Sequence, residues 1–197
     1  MTTQSAPTLA NLAARRRLTV AEFERMIAAN IWPEDERIEL IDGELINTSP
    51  INAPHVYAVT MLTDIFIQAL RRRASVFCQN PVELGEEVRP QPDIALVRPP
   101  TARYRTRLAG PADILLVVEV CDTTLAYDRD TKLPLYATAN IPEVWLVDVN
   151  ANTISVYREP RAGAYQQLAA YARGAEVAPG AFPDVKVKMA EVVGDEE

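Results

Sequence analysis

Two short apolar runs, each interrupted by a single acid, constrain this chain more than any other feature. Gln91-Pro92-Asp93-Ile94-Ala95-Leu96-Val97 and Leu115-Leu116-Val117-Val118-Glu119-Val120-Cys121 are nearly continuous stretches of strand-forming residues, the pattern of central strands covered on both faces. An ionised carboxylate buried alone in such a strand costs more than a domain's whole net stability of about 5–15 kcal/mol. It must therefore be paired, hydrogen-bonded or metal-bound. Side chains alternate along a strand, so Asp93 shares a face with Ala95 and Val97, and Glu119 shares one with Val117 and Cys121. Two such acids on neighbouring strands point to a site for a hard cation.

Length and charge narrow the class. At 197 residues the chain can bury one sizeable core, and no linker, repeat or low-complexity block divides it. The expectation is one domain over residues 19–190, between a flexible N-terminal tail (1–18) and an acidic C-terminal tail (191–197). Hydrophobic residues make up 48% and charged residues 24%, and no apolar run approaches the roughly 20 residues of a membrane span. No signal-peptide core follows Arg15-Arg16-Arg17, so a cytoplasmic location with no membrane partner is expected. Two cysteines, Cys78 and Cys121, and one histidine, His55, argue against a disulfide framework or a zinc finger. The net charge of −7 gives no general attraction to nucleic acid, so phosphate contacts must come from local basic patches.

Along the chain, Thr19 with Glu22 predicts a capped helix whose apolar face is Val20, Phe23, Met26 and Ile27. In Arg37-Ile38-Glu39-Leu40-Ile41-Asp42-Gly43-Glu44-Leu45-Ile46-Asn47 the Asp-Gly pair predicts a two-residue hairpin turn, opposing Ile41 to Glu44 and Glu39 to Ile46. Ile38, Leu40 and Leu45 then share the apolar face. Arg37, Glu39 and Glu44 share the other, which reads as a solvated surface with an Arg–Glu pair rather than a site. Residues 50–73 read as a loop and a long helix with His55 in its first turn, as a structural hydrogen bonder or an anion-facing site residue. Short strands are expected at 76–78 and 82–84. The loop from Arg98 to Arg107 offers Arg103, Arg105 and Arg107 to a phosphate backbone and Tyr104 for stacking, or else is a solvated connection. Pro134 puts a helix start near Asp130 or Thr131, with Lys132 in the first turn. The dipole disfavours a cation there, which hints at a negative partner, in the plainest case Asp128 or Asp130. Residues 143–149 form another central strand, 153–158 and 165–171 an antiparallel meander, and 185–187 a short strand. The pattern is α/β or α+β with a mixed sheet flanked by helices, an N-terminal hairpin and a C-terminal meander.

Taken in order, these residues resemble the PD-(D/E)XK restriction endonuclease-like superfamily, and within it the Uma-two family. The resemblance runs from about residue 19 to 190. It rests on the segment from Arg37 to Glu44, Pro50 with His55, Gln91-Pro92-Asp93, Val118-Glu119-Val120, Lys132 with Tyr136, the segment from Ile141 to Asp148, and Val156-Tyr157-Arg158. It implies hydrolysis of DNA phosphodiester bonds assisted by Mg²⁺ or Mn²⁺, with Asp93, Glu119 and the Val120 carbonyl holding the metal. Lys132 is implied to orient or deprotonate the attacking water, with Glu44 and His55 as additional catalytic residues, and a homodimer is implied as the assembly that cuts two strands. The usual lysine two residues after the glutamate is absent: Cys121 stands there, and Lys132 resembles its migrated replacement.

Two other classes fit parts of the pattern. One is a catalytically inactive, dimerising interaction protein that kept the fold, which would lack a divalent-ion site at Asp93 and Glu119. The other is a thiol hydrolase using Cys121 and His55, which requires the two side chains within hydrogen-bond reach and an accessible thiol of low pKa.

Overall fold

The structure, a computed structural model, describes residues 16–33, 36–48 and 52–194. The expected tail through residue 15, Pro50, and residues 195–197 lie outside the described residues. Ten strands are described: β1 (Ile38–Ile41), β2 (Glu44–Asn47), β3 (Ser75–Cys78), β4 (Ile94–Val97), β5 (Ile114–Cys121), β6 (Glu143–Asp148), β7 (Thr153–Arg161), β8 (Ala164–Ala172), β9 (Glu176–Val177) and β10 (Val187–Lys188). The helices are α1 (Val20–Ala28), α2 (Ala53–Leu70), α3 (Leu125–Tyr127), α4 (Leu133–Thr138) and α5 (Met189–Val193).

A six-stranded sheet in the order β3-β4-β5-β6-β7-β8 carries the rest. Neighbours are antiparallel except β5 and β6, which run parallel. A parallel pair needs a crossover, and the segment 122–142 with its helical turns supplies it. On one face Leu62, Phe66 and Leu70 of α2 pack with Leu116, Val118 and Trp145. On the other, Leu133 and Tyr136 of α4 pack with Val117, Cys121 and Leu146. Covered on both sides, β4 is buried along its whole length, which explains why it reads as an unbroken apolar run.

The hairpin adopts the register that its turn demands, with Ile41 opposite Glu44 and Glu39 opposite Ile46. Asp42 (φ 51°) and Gly43 (φ 75°) are both left-handed, as a turn matching strand twist requires. Leu40 packs with Val20 and Phe23 of α1, whose Thr19–Glu22 capping box is formed as expected. Reciprocal backbone hydrogen bonds between Leu40 and Arg89, 3.2 and 2.7 Å, dock the hairpin on the segment leading to Asp93.

Two local expectations fail for backbone reasons. Residues 82–84 form no strand, only the bridge from Val82 to Ala109. The Val82 N–H instead bonds the Pro90 carbonyl at 2.9 Å, and prolines at 90 and 92 offer no N–H with which to extend a ladder. The helix near Lys132 starts earlier than Pro134 suggested: α3 runs through a π-helical turn, Asp128–Lys132, into α4. In that turn Leu133 donates to the Asp128 carbonyl, five residues back. The widened turn accommodates a proline that could not supply the next intrahelical bond.

Candidate active site

Asp93 stands one residue before β4. Continuing the Ile94–Val118 register puts it opposite Glu119, both side chains on the same face. Its N–H reaches Glu119 Oε2 at 3.4 Å, and its Oδ2 accepts from the Val120 N–H at 2.8 Å. One step further, Pro92 lies opposite Val120 and has no N–H, so β4 supplies no ladder donor to the Val120 carbonyl.

His55 is the third residue of α2. Asn52 caps the helix by accepting the His55 N–H at 3.2 Å, and Pro54 precedes it where a missing N–H costs nothing. This start aims His55 Nε2 at Asp93 Oδ2, 3.1 Å away. His55 thus acts as a hydrogen-bond partner of Asp93 on the cleft wall. Burial acts to raise the Asp93 pKa, but the His55 bond and charge, the Val120 N–H and the Lys132 charge outweigh it and hold the carboxyl below its usual range.

Lys132 enters from the π-helical turn and is buried. Its Nζ lies 3.0 Å from Glu39 Oε1, 3.2 Å from Glu119 Oε1 and 4.0 Å from Asp128 Oδ1. Burial alone would lower its pKa, but the charges of Glu119, Glu39 and Asp128 prevail and raise it, so it remains an ammonium. Tyr136 of α4 donates its hydroxyl to Glu119 Oε1. Burial, together with the charges of Asp128, Asp93 and Glu39, pushes the Glu119 pKa up to about 8.

The hairpin face expected to be solvated is turned into this cluster. Glu39 is only 1% exposed; besides Lys132 its Oε1 accepts the Gln91 N–H at 2.6 Å, and its Oε2 is buried with no partner. The signal for this lay in Ile41 and Ile46, apolar residues on the same face, but the partner lies 93 positions away. Glu44 shares that face one pair nearer the turn, where it is exposed and off the cleft wall. The sequence suggests Asp128 only as a surface partner of the lysine. It is buried at 4% exposure, whereas Asp130 is turned outward and pairs with Arg129.

Cys121 and His55 do not meet. The thiol is fully buried, its Sγ faces the Glu119 carbonyl at 3.8 Å, and burial pushes its pKa up, so the thiol-hydrolase alternative loses its geometry. The basic loop lies at the end of β4 opposite Asp93. Tyr104 sets its ring edge-on to Phe77 at 5.1 Å and donates to the Arg98 carbonyl at 2.7 Å. Arg107 lies over that ring and forks onto Asp113 at 2.6 and 3.0 Å. Tyr104 and Arg107 thus tether the loop. Arg103 and Arg105 are exposed on it, and none of the four lines the cleft.

That cleft, about 350 Å³, is walled by the hairpin, the α2 start and the β5–α3 segment. Among the described residues no three or more His, Cys, Asp or Glu side chains form a complete metal-binding set. The donors available are two carboxylates and one carbonyl. They suit a hard divalent ion that completes its shell with water and phosphate oxygens. Three buried acids, Glu39, Glu119 and Asp128, face one lysine, with Asp93 beside them on His55, and one Glu39 oxygen has no partner. The cluster is short of positive charge, and the residues present fit a cation.

A central mixed sheet flanked by helices, with a two-stranded hairpin docked beside it, is a restriction endonuclease-like class of fold. This chain belongs to the Uma2 family, described as "Putative restriction endonuclease", whose sequence model matches residues 20–190. The crystal structure of "a putative nuclease belonging to DUF820" from Anabaena variabilis ATCC 29413 aligns with a TM-score of 0.70 over 89% of this chain and 97% of that one. At 16% sequence identity that likeness is one of fold. No curated protein matches the chain. Among the described residues no helix is long and apolar enough to cross a membrane.

Proposed function

We propose that this protein is a metal-dependent endonuclease that hydrolyses DNA phosphodiester bonds. The observation that carries this reading is the convergence of Asp93 and Glu119 on one side of the sheet with Lys132 directly on Glu119. Asp93, Glu119 and the Val120 carbonyl would hold Mg²⁺ or Mn²⁺, which supplies Lewis-acid polarisation of the phosphoryl group and a nucleophile from bound water. The chain's own residues do the positioning. His55 and the Val120 N–H fix the Asp93 carboxylate, and Tyr136 fixes Glu119. Lys132, a donor-only ammonium held by Glu39 and Glu119, orients water and offsets charge developing on the phosphate instead of abstracting a proton. Two copies of the chain would present two such sites to the two strands of a duplex.

The test is cleavage of supercoiled plasmid and single-stranded DNA with Mg²⁺, with Mn²⁺ and with chelator, beside Asp93→Asn and Glu119→Gln. Cleavage that requires the metal and is lost in both variants is expected. Cleavage that persists in chelator, or in both variants, overturns the reading. Sedimentation of the protein at micromolar concentration tests the dimer.

A further inference from the structure

The cleft contains a strong attraction for a cation and an evident repulsion for a phosphodiester, so something in it must grip the substrate backbone. Of the basic side chains on its wall, Lys132 is bound by carboxylates and His55 by Asp93. Arg37 is different. It lines the cleft half-buried at the open end of the hairpin, where its carbonyl accepts the Thr48 N–H at 3.0 Å and hydroxyl at 3.2 Å. These bonds fix its backbone. Its guanidinium has no ion pair or hydrogen bond among the described residues, because Glu39, the partner its strand position suggests, is taken by Lys132.

A second observation, independent of the first, comes from another element of the cleft wall. Tyr127, at the end of α3, lines the same cleft, and its hydroxyl is buried without a hydrogen-bond partner. A buried, unsatisfied hydroxyl is costly unless something bonds it. A guanidinium is a donor only, and a phenol beside several carboxylates remains protonated, its pKa pushed up to about 12 by burial and the nearby Glu39 charge. Two donors without acceptors call for a ligand rich in acceptor oxygens, and the planar fork of arginine matches a phosphate.

We propose that Arg37 and Tyr127 form a phosphate-binding subsite that grips the backbone of the nucleic-acid substrate. The inference rests on the nuclease reading of the cleft and deepens it. Arg37 supplies the charge that the acidic wall lacks, and Tyr127 supplies a directional hydrogen bond. Neither reads base identity, so the subsite is indifferent to sequence.

The experiment measures binding of a short fluorescent oligonucleotide in chelator across a salt series, and steady-state cleavage with Mg²⁺, for wild type, Arg37→Ala, Arg37→Lys and Tyr127→Phe. Arg37→Ala should flatten the slope of log affinity against log salt by about 0.7–0.9, the loss of one phosphate contact. It should raise KM while kcat stays within about twofold. Arg37→Lys keeps the charge and should restore the slope, which also excludes misfolding as the cause. Tyr127→Phe should weaken binding by roughly tenfold with the slope unchanged. Binding and slope unaltered in both Arg37→Ala and Tyr127→Phe, with wild type active, would overturn the subsite and leave the nuclease reading standing. If wild type neither binds nor cleaves DNA, the nuclease reading fails and the subsite falls with it.

Discussion

Lys132 cannot be removed without leaving Glu39, Glu119 and Asp128 facing one another in a buried space. Removing one partner of a buried ion pair costs about 3–5 kcal/mol because the other charges stay uncompensated. Lys132→Ala is therefore expected to lose cleavage and stability together, and Mg²⁺ should return part of that stability by binding only the folded chain. Urea unfolding of wild type and variant, with and without Mg²⁺, measures this. A stability gap that Mg²⁺ does not narrow would count against a cation in the cluster. Glu143 is the instructive contrast, a buried acid whose oxygens accept from Trp145 Nε1 at 2.6 Å, Arg158 at 2.8 Å and the Gly180 N–H at 2.6 Å. Fully served by fixed donors, it holds β6, β7 and the segment between β9 and β10 together and leaves no oxygen for a ligand.

At the scale of elements, the site depends on how the hairpin and the helix crossover are docked. The hairpin's turn is tied down by the Gly43 N–H to the Glu87 carbonyl at 2.8 Å and by Arg17, which pairs with Asp42 and Glu87. A Cβ at Gly43 would sit 2.5 Å from that of Arg17 on a backbone of φ +75°. Gly43→Ala should therefore cost about 1–2 kcal/mol from the left-handed conformation, plus the displacement of Arg17. Because Glu39 hangs from the same hairpin, activity should fall with stability. Denaturation midpoints and turnover of the one variant check both, and a destabilised variant with full activity would mean that Glu39 is dispensable. The π-helical turn has the matching role on the other wall. Within its five residues, Asp128 and Lys132 both turn into the cluster while Asp130 turns out.

For the whole molecule, two ion pairs far from the cleft fasten outlying segments to the sheet and helices. Arg107–Asp113 ties the basic loop to the start of β5, and Arg73–Asp184 ties the end of α2 to the C-terminal segment. The Arg107 hydrogen bond and the Gly110 N–H, working against partial burial, hold the Asp113 carboxyl below its usual pKa. A depressed folded-state pKa means that the stabilisation is fully present above the unfolded value, near ~3.9, and is lost as pH falls through the folded one. Asp113→Asn should thus lower stability at pH 7 by up to about 1 kcal/mol, and the difference from wild type should close as the solution is acidified below about pH 4. Urea midpoints at pH 7, 5 and 3 give the comparison; a gap independent of pH would assign the effect to packing and not to charge.

Local signals carried much of this fold because they act over a few residues. The Asp42-Gly43 turn chose the hairpin register, Thr19 with Glu22 placed the start of α1, and the nearly continuous apolar runs marked β4 and β5 as buried; the register between them, which sets Asp93 opposite Glu119, came from the fold. The acids out of place in those runs were the legible part of the site, since burying a carboxylate is costly wherever the strand ends up. Glu39, Asp128 and the orientation of Arg37 were not legible in this way. Their roles depend on which distant groups face them across the cleft, and Glu39 meets Lys132 only because the hairpin docks over the segment before β4. For the same reason composition did not place the basic loop: Tyr104 and Arg107 are spent on holding it at the far end of the strand, while Arg103 and Arg105 stay exposed there. Sequence alone determined which side chains are too polar for where they lie. Only the tertiary structure decided which partners satisfy them, because pairing across a fold is set by the docking of whole elements and not by neighbours in the chain.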